Sequence, residues 1–181
     1  MERVLLHICC APCAIYPLDL LKKMGFKVEG FFYNPNIHPS KEYMLRRDTL
    51  IKYAKMEYLE VYFGAYKPEL FFSLVTKNLE DRCRYCYQIR LEESVKRAKE
   101  MGYNIFTTTL LYSKKQKHEW IREIGENIAK REGVEFFYYD FREGWKKGIE
   151  KSKDIGLYRQ NYCGCIFSEK ERFYRDEPQF L

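Results

Sequence analysis

An α/β fold built on a parallel sheet is what this chain predicts, on three observations. Short apolar runs rich in β-branched and aromatic residues recur five times, longer amphipathic segments separate them, and glycines stand where several of those segments end. The first run, residues 4–10, reads as a buried strand, with a helix following after Ala14. Gly25 then stands at a helix C-cap position, before the second strand at 28–33. A helix over about 42–56 leads to a third strand at 59–63, and helices over 68–77 and 87–101 lead to Gly102 and a fourth strand at 105–111. The helix at 115–131 puts Trp120, Ile121, Ile124 and Ile128 on one face and charged residues on the other, and Gly133 separates it from a fifth strand at 134–139. From Phe141 the pattern predicts a helix to about Lys153, a loop through Cys165, and a short helix running into the tail.

At 181 residues and 46% hydrophobic content the chain is expected to form one domain, 1–181, with a sizeable core. It contains no run of about 20 apolar residues, and Met1, Glu2 and Arg3 do not open a signal peptide. A cytoplasmic protein without a membrane partner is the expectation. The formal charge of +6 would suit a polyanion partner or an ordinary protein surface equally, so it decides nothing. Seven cysteines in groups of three, two and two do not read as a secreted disulfide framework, which leaves metal or redox chemistry.

In an open parallel sheet, ligands bind beyond the carboxyl ends of the strands. Those ends are loaded with polar and thiol groups. Cys9, Cys10 and Cys13 follow the first strand, Asn34 and Asn36 the second, Thr107, Thr108, Thr109 and Ser113 the fourth, and Asp140 the fifth. Between a strand and a helix, the thiols of Cys9-Cys10-Ala11-Pro12-Cys13 sit near a helix N-terminus, where the dipole favours thiolate. The two-residue spacing in Cys83-Arg84-Tyr85-Cys86 lets both sulfurs reach one metal, with Arg82 and Arg84 compensating their charge. Two such groups also suit structural zinc, but zinc needs one thiol fewer and leaves Cys163 and Cys165 unexplained. The pair Cys163-Gly164-Cys165 reads either as a strained, reducible disulfide or as two ordinary thiols. His7, within a strand, reads as a core histidine, and His118 as a solvated residue in mid-helix. For His38, site lining and turn chemistry stay open, and Asp140 either pairs with Arg142 or ligates a metal.

Five motifs, in order along nearly the whole chain, resemble the QueH-type epoxyqueuosine reductases. They are Cys9-Cys10-Ala11-Pro12-Cys13, the loop from Phe32 to Pro39, Arg82-Cys83-Arg84-Tyr85-Cys86, the stretch from Thr107 to Ser113, and that from Tyr158 to Cys165. The resemblance implies a Rossmann-like, HUP-like five-stranded parallel sheet flanked by helices, with a C-terminal helical extension. It implies reduction of the epoxide of epoxyqueuosine to queuosine in the anticodon loop of tRNA, the last step of queuosine synthesis, without cobalamin. By the same resemblance Cys9, Cys10, Cys83 and Cys86 hold a [4Fe-4S] cluster, and Cys163 with Cys165 form a redox-active disulfide. A neighbouring mononuclear iron is implied as well, for which Asp140 is the preferred carboxylate and Cys13 the thiol left over. Spacing alone would pair Cys10 with Cys13, and adjacent Cys9 and Cys10 reach one cluster only if the strand ends in a sharp turn. No Ser-Gly-Gly loop follows the first strand, so ATP is not expected as a cofactor.

Deoxygenating an epoxide to an alkene takes two electrons and two protons and releases water. A one-electron cluster therefore needs a partner or two cycles, supplied by an unidentified electron donor and the extra thiols. An iron with an open position would add Lewis acidity. Candidates for the tRNA carrying epoxyqueuosine at its wobble position are Tyr33, Asn34, Asn36, Thr108, Thr109, Ser113, Lys115, Arg159 and Gln160. Arg46, Arg47, Lys114 and Lys117 are further candidates for phosphate, and Tyr112 and Tyr162 for base stacking. Two other classes remain open: another iron–sulfur tRNA-modifying enzyme, and a zinc-stabilised RNA-binding module.

Overall fold

The computed structural model describes residues 1–174. Five strands, β1 (Arg3–His7), β2 (Lys27–Phe32), β3 (Val61–Phe63), β4 (Ile105–Thr108) and β5 (Glu135–Phe136), form one sheet in the order β3-β2-β1-β4-β5. Every pairing is parallel. The chain winds outward from β1 in one direction through β2 and β3, then returns and winds outward in the other through β4 and β5. Strand order thus reverses between β1 and β4, and the crevice for a ligand opens at their carboxyl ends.

Among the described residues seven α-helices accompany the sheet: α1 (Ala11–Lys23), α2 (Ser40–Glu57), α3 (Pro68–Val75), α4 (Arg82–Glu100), α5 (His118–Glu132), α6 (Trp145–Asp154) and α7 (Ile166–Phe173). Right-handed crossovers assign α1 and α2 to one face and α4 and α5 to the other. Packing agrees, with α1 against α2 and α6, and α4 against α5 and α3. Val4, Leu5, Leu6, Phe31, Phe32 and Phe106 are buried completely, because β1, β2 and β4 are covered on both faces. Gly133 closes α5 at φ 66°, the left-handed C-cap conformation that glycine adopts without cost. Among the described residues no helix is long and apolar enough to cross a membrane.

The parallel α/β architecture read from the sequence is present, but several boundaries shift, and each shift moves a functional residue. β1 ends at His7, three residues before the end of its apolar run, because the chain must bend at Cys9 to enter α1. That helix starts at Ala11, not after Ala14, since Pro12 in its first turn needs no amide hydrogen and is preset for helix. β4 stops at Thr108, whose hydroxyl accepts from the Leu110 amide and turns residues 109–112 into a 3-10 helix. α4 begins at Arg82, not Tyr87, so the Cys83 and Cys86 motif lies inside its first turns. α5 begins at His118, and a 3-10 turn over 141–144 precedes α6. α3 ends at Val75, short of Lys77, and β5 keeps only two of its expected residues. The short final helix is α7; the tail at 175–181 lies outside the described residues.

His7 is fully buried, its Nδ1 bonded to Thr108 Oγ1 at 2.8 Å and its Nε2 to the Tyr33 carbonyl at 3.1 Å. The Tyr33 carbonyl can only accept, so Nε2–H donates to it, and Nδ1 of the neutral ring accepts from the Thr108 hydroxyl. Burial, reinforced by the positive charge of Arg90, pushes this imidazole down to about 4 from 6.5. The unfolded chain therefore binds the extra proton first. Stability linked to His7 is complete above pH 6.5 and falls as pH drops from 6.5 towards 4, by about 3 kcal/mol across the window. In urea titrations the wild type should lose stability more steeply over that interval than His7→Asn. A second test concerns the α5 contact with the sheet. A Cβ at Gly125 would lie 2.4 Å from Phe136 Cε1, so Gly125→Ala should lower stability by about 1–2 kcal/mol despite alanine's better helix propensity. An unchanged urea midpoint would show that Phe136 moves aside freely.

Candidate metal centre

The bend after β1 gathers the first three thiols. Thr109, placed at the end of β4 beside β1, accepts a hydrogen bond from the Cys9 amide at 3.0 Å and lies 3.2 Å from Cys9 Sγ, to which its hydroxyl donates. Cys10 is the N-cap of α1 and Cys13 lies in its first turn. The three sulfurs fall within 4.8 Å of one another, and those of the adjacent Cys9 and Cys10 are 3.9 Å apart, so the sharp turn that such a pair requires is present. Hydrogen bonds from Cys10 and Cys13, and then from Thr109, hold the Cys9 thiol well below its usual range. Burial pushes Cys10 up to about 12, and Cys13, as a donor to its two neighbours, is raised as well. Within the triad the hydrogen bonds thus favour negative charge on Cys9 over Cys10 and Cys13.

The other thiols come from α4 and from the loop before α7. Cys83 and Cys86, three residues apart, share one face of α4. Arg46, buried in α2, clamps the loop that carries Cys163 and Cys165. Its Nε donates to Glu42 at 2.6 Å, Nη1 to the Cys163 carbonyl at 2.8 Å and Nη2 to the Tyr162 carbonyl at 3.2 Å. The His38 amide donates to the Gly164 carbonyl at 2.7 Å, and the Tyr162 hydroxyl donates to the His38 carbonyl. Gly164 adopts φ 143°, where a side chain would be strained, and a Cβ there would press on Arg46, Ile37 and Asn36. All seven thiols are free; Cys163 is exposed, whereas Cys165 is buried beside Ser168.

Two adjoining cavities result. One, of about 460 Å³, is lined by Cys9, Cys13 and Cys163 together with Ser113, Lys115, Trp145, Arg159 and Gln160. The other, of about 230 Å³, is lined by Cys83, Cys86, Cys163 and Cys165 with Asn36. Arg90, Lys115, Gln116 and Cys163 border both. Amide groups reach the sulfurs: Gln160 Nε2 donates to Cys10 at 2.9 Å and Gln116 Nε2 to Cys163 at 3.3 Å. Arg90 Nη2 donates to Cys86 Sγ at 3.1 Å. Burial pushes Cys86 up to about 12 and raises Cys83.

Other candidates lie elsewhere. Asp140 lines neither cavity; both its oxygens are held by Arg142, at 2.7 and 2.6 Å, and it caps the turn before α6. Tyr33 is buried and stacked on Phe31, and Tyr112 is buried with its hydroxyl donating to the Trp145 carbonyl, which leaves neither a free face for a base. Asn34 donates to the Ile8 carbonyl and so secures the end of β1, and Thr108 is engaged by His7. Arg46 is turned inward, away from any phosphate. Arg47 is exposed and pairs with Asp48, and Lys117 sits over the Trp120 ring. His118 is the first residue of α5, buried, with Nε2 on the Tyr138 hydroxyl, not the solvated mid-helix group its charged neighbours suggested. Arg90 and Gln116 escaped the sequence reading. For Arg90 the signal was there: it follows Cys86 by four residues, one helical turn.

An open parallel α/β sheet with a cysteine-lined cleft at its switch point defines a Rossmann-like protein whose clustered thiols could hold a metal. Residues 4–171 match the family described as "Epoxyqueuosine reductase QueH". The protein of that name from Thermotoga maritima is 39% identical over 182 residues, covering 95% of this chain and 93% of that one. Its namesake from Dehalococcoides mccartyi is 38% identical over 172 residues, with 94% of each covered. The chain belongs to the QueH family of epoxyqueuosine reductases, a family of oxidoreductases. Among solved structures, a predicted subunit of tRNA methyltransferase from Methanocaldococcus jannaschii superimposes with a TM-score of 0.59 at 14% identity, over 84% of this chain and 75% of that one; the likeness is one of fold.

The doubled contact of Thr109 with Cys9 yields a prediction. Thr109→Val in metal-free protein should move the midpoint of the pH profile for Cys9 alkylation by iodoacetamide upward by about one unit, while Thr109→Ser leaves it in place. Peptide mapping by mass spectrometry measures both; an unmoved midpoint would remove Thr109 from the control of that thiol.

Proposed function

We propose that this chain reduces the epoxide of epoxyqueuosine at the wobble position of tRNA to the alkene of queuosine, using an iron–sulfur cluster held in its cleft. The observation that carries the reading is that six free thiols line two adjoining cavities at the β1/β4 switch point of a QueH-family chain, with the seventh, Cys10, 3.9 Å behind Cys9. The donor set fits such a cluster: soft sulfur ligands, three of them mutually within 4.8 Å, with amide and guanidinium donors aimed at the sulfurs. Cys9, Cys10, Cys83 and Cys86 would hold a [4Fe-4S] cluster, which supplies electrons singly. Cys13 is the thiol left for an adjacent iron. Asp140 does not fit that role, since Arg142 occupies both its oxygens outside the cleft.

The chain's own residues do the rest. A cavity of about 460 Å³ suits one modified base turned out of its loop, within the usual range for small-ligand sites. Lys115 and Arg159 on its lining offer charge to the flanking phosphates, and Ser113, Gln160 and Asn161 offer hydrogen bonds. Trp145 and Tyr162 provide the apolar and stacking faces there. Cys163, exposed between the cavities, and Cys165 behind it serve as a thiol relay for an external electron donor. A single domain spanning 1–181 carries this activity in the cytoplasm, where tRNA resides and thiols stay reduced.

Anaerobically isolated protein should be brown and carry iron with acid-labile sulfide; stoichiometric zinc without sulfide would replace this reading with a zinc-stabilised RNA-binding module. Cys83→Ala and Cys86→Ala should each lose the cluster. By contrast, Cys163→Ser and Cys165→Ser should keep iron and visible spectrum yet fail to form queuosine over multiple turnovers on the same preparations. Iron lost with activity would make those two thiols ligands, and full activity would make them structural.

A further inference from the structure

Among the described residues, buried charges are matched with one exception. Glu29 meets Arg3 and Lys27, and Arg46 meets Glu42. Arg90, 1% exposed and the largest fully buried side chain, has no carboxylate within ion-pair distance among the described residues. Its Nε donates to the Cys86 carbonyl at 3.0 Å and its Nη2 to Cys86 Sγ at 3.1 Å, while its Nη1 makes no hydrogen bond to a described residue. The guanidinium borders both cavities, facing Cys163 and Cys9 as well as Cys86.

A guanidinium does not give up its proton in a protein, so a buried one needs an anion. Among the described residues only sulfur is in place to provide it. The packing offers the guanidinium the Tyr87 ring, 5.7 Å from its carbon, but no anion, and the carbonyl it bonds lies within its own helix, one turn back, with its place in the helical ladder already. The positions of the neighbouring cations sharpen the point. Arg46 is committed to Glu42, and Arg82 and Arg84 pair with Glu171 and Glu123 at the surface. Arg90 is the one arginine within hydrogen-bond distance of a cysteine sulfur among the described residues.

We propose that Arg90 is the built-in counter-cation of the sulfur centre, a positioning residue whose fixed charge favours the more electron-rich state and so raises the reduction potential. The inference rests on the iron–sulfur reading above and adds to it the residue that tunes the centre. Net charge and hydrogen bonds to sulfur are two of the levers a protein has over such a potential, and Arg90 supplies both at Cys86. Each reduction adds one electron to the centre, taken from a low-potential external reductant, and moves no proton.

The test is a dithionite titration of anaerobic, cluster-loaded protein in an optically transparent cell. Arg90→Gln, which keeps a donor amide but removes the charge, should lower the equilibrium constant for one-electron reduction about tenfold, or 59 mV. Arg90→Lys, which keeps the charge, should stay within about threefold of wild type. An Arg90→Gln protein with full iron content and an unmoved potential overturns the proposal, as does a lysine variant that falls as far as the glutamine one. Should neither variant retain the cluster, pulsed EPR of the reduced wild type labelled with 15N-arginine decides. A weakly coupled 15N is expected, and its absence overturns the assignment. Wild-type protein lacking iron and sulfide sinks the iron–sulfur reading and this inference together, whereas a full cluster indifferent to Arg90 sinks this inference alone.

Discussion

Pairing of β1 with β4 at the centre of the sheet is the constraint from which the site follows. Their parallel register, from Val4 opposite Ile105 to His7 opposite Thr108, ends both strands at the same level. What comes next in each chain segment is therefore brought face to face: Cys9 from one and Thr109 from the other, a hundred residues away. The same register lets His7 and Thr108 satisfy each other inside the sheet, where an unpaired imidazole or hydroxyl would be costly. Because strand order reverses at this pair, no crossover helix covers the gap beyond it, and the thiols open into a cleft instead of a core.

A second layer of restraint holds the C-terminal loop against this frame. Arg46 is buried, yet three of its donors are used, two of them on the backbone of Tyr162 and Cys163 and one on Glu42. Tyr158 donates to the other oxygen of Glu42 at 2.8 Å, so the arginine, the carboxylate and the loop form one network. Such a network keeps its charges only while every member is present, which makes the loop's path specific as well as stable. It sets Cys163 where both cavities meet and leaves Cys165 behind it. The exposure of one thiol and the burial of the other follow from where Arg46 pins the intervening backbone.

The polar groups around the sulfurs differ in kind from those that shape the fold. Thr109, Gln116, Gln160 and Arg90 each direct a hydrogen at a different cysteine, and they come from four separate segments of the chain. Sulfur is a weak acceptor as a thiol and a good one as a thiolate, so donors arranged in this way suit a site whose sulfurs carry negative charge. The Asn36 carbonyl oxygen, buried on the wall of the smaller cavity without a hydrogen-bond partner, belongs to the same lining.

By itself the sequence determined the parallel α/β architecture, the order of its elements and the identity of the thiols, because hydrophobic period, helix-closing glycines and cysteine spacing are local signals. Arg90 went unnoticed there: it stands one helical turn beyond Cys86, but only its burial without a carboxylate among the described residues gives that spacing meaning. Tertiary structure alone decided which polar residues belong to the cleft. Tyr33, Tyr112 and Arg46 sit in rim segments by sequence but turn inward, since an aromatic ring gains by burial and the arginine finds its acceptors inside. Asp140 follows the fifth strand at the same rim by sequence, yet that strand stops at Phe136 and a local pair with Arg142 holds the carboxylate out. Where β1 ends was also a tertiary decision. The run through Ile8, Cys9 and Cys10 is apolar enough to continue as strand, but it bends at Cys9, whose amide is taken by a hydroxyl from the neighbouring β4 segment and not by a strand partner. Long-range hydrogen bonds of this kind leave no periodic trace in the chain, which is why the boundaries and the partners at the site had to come from the fold.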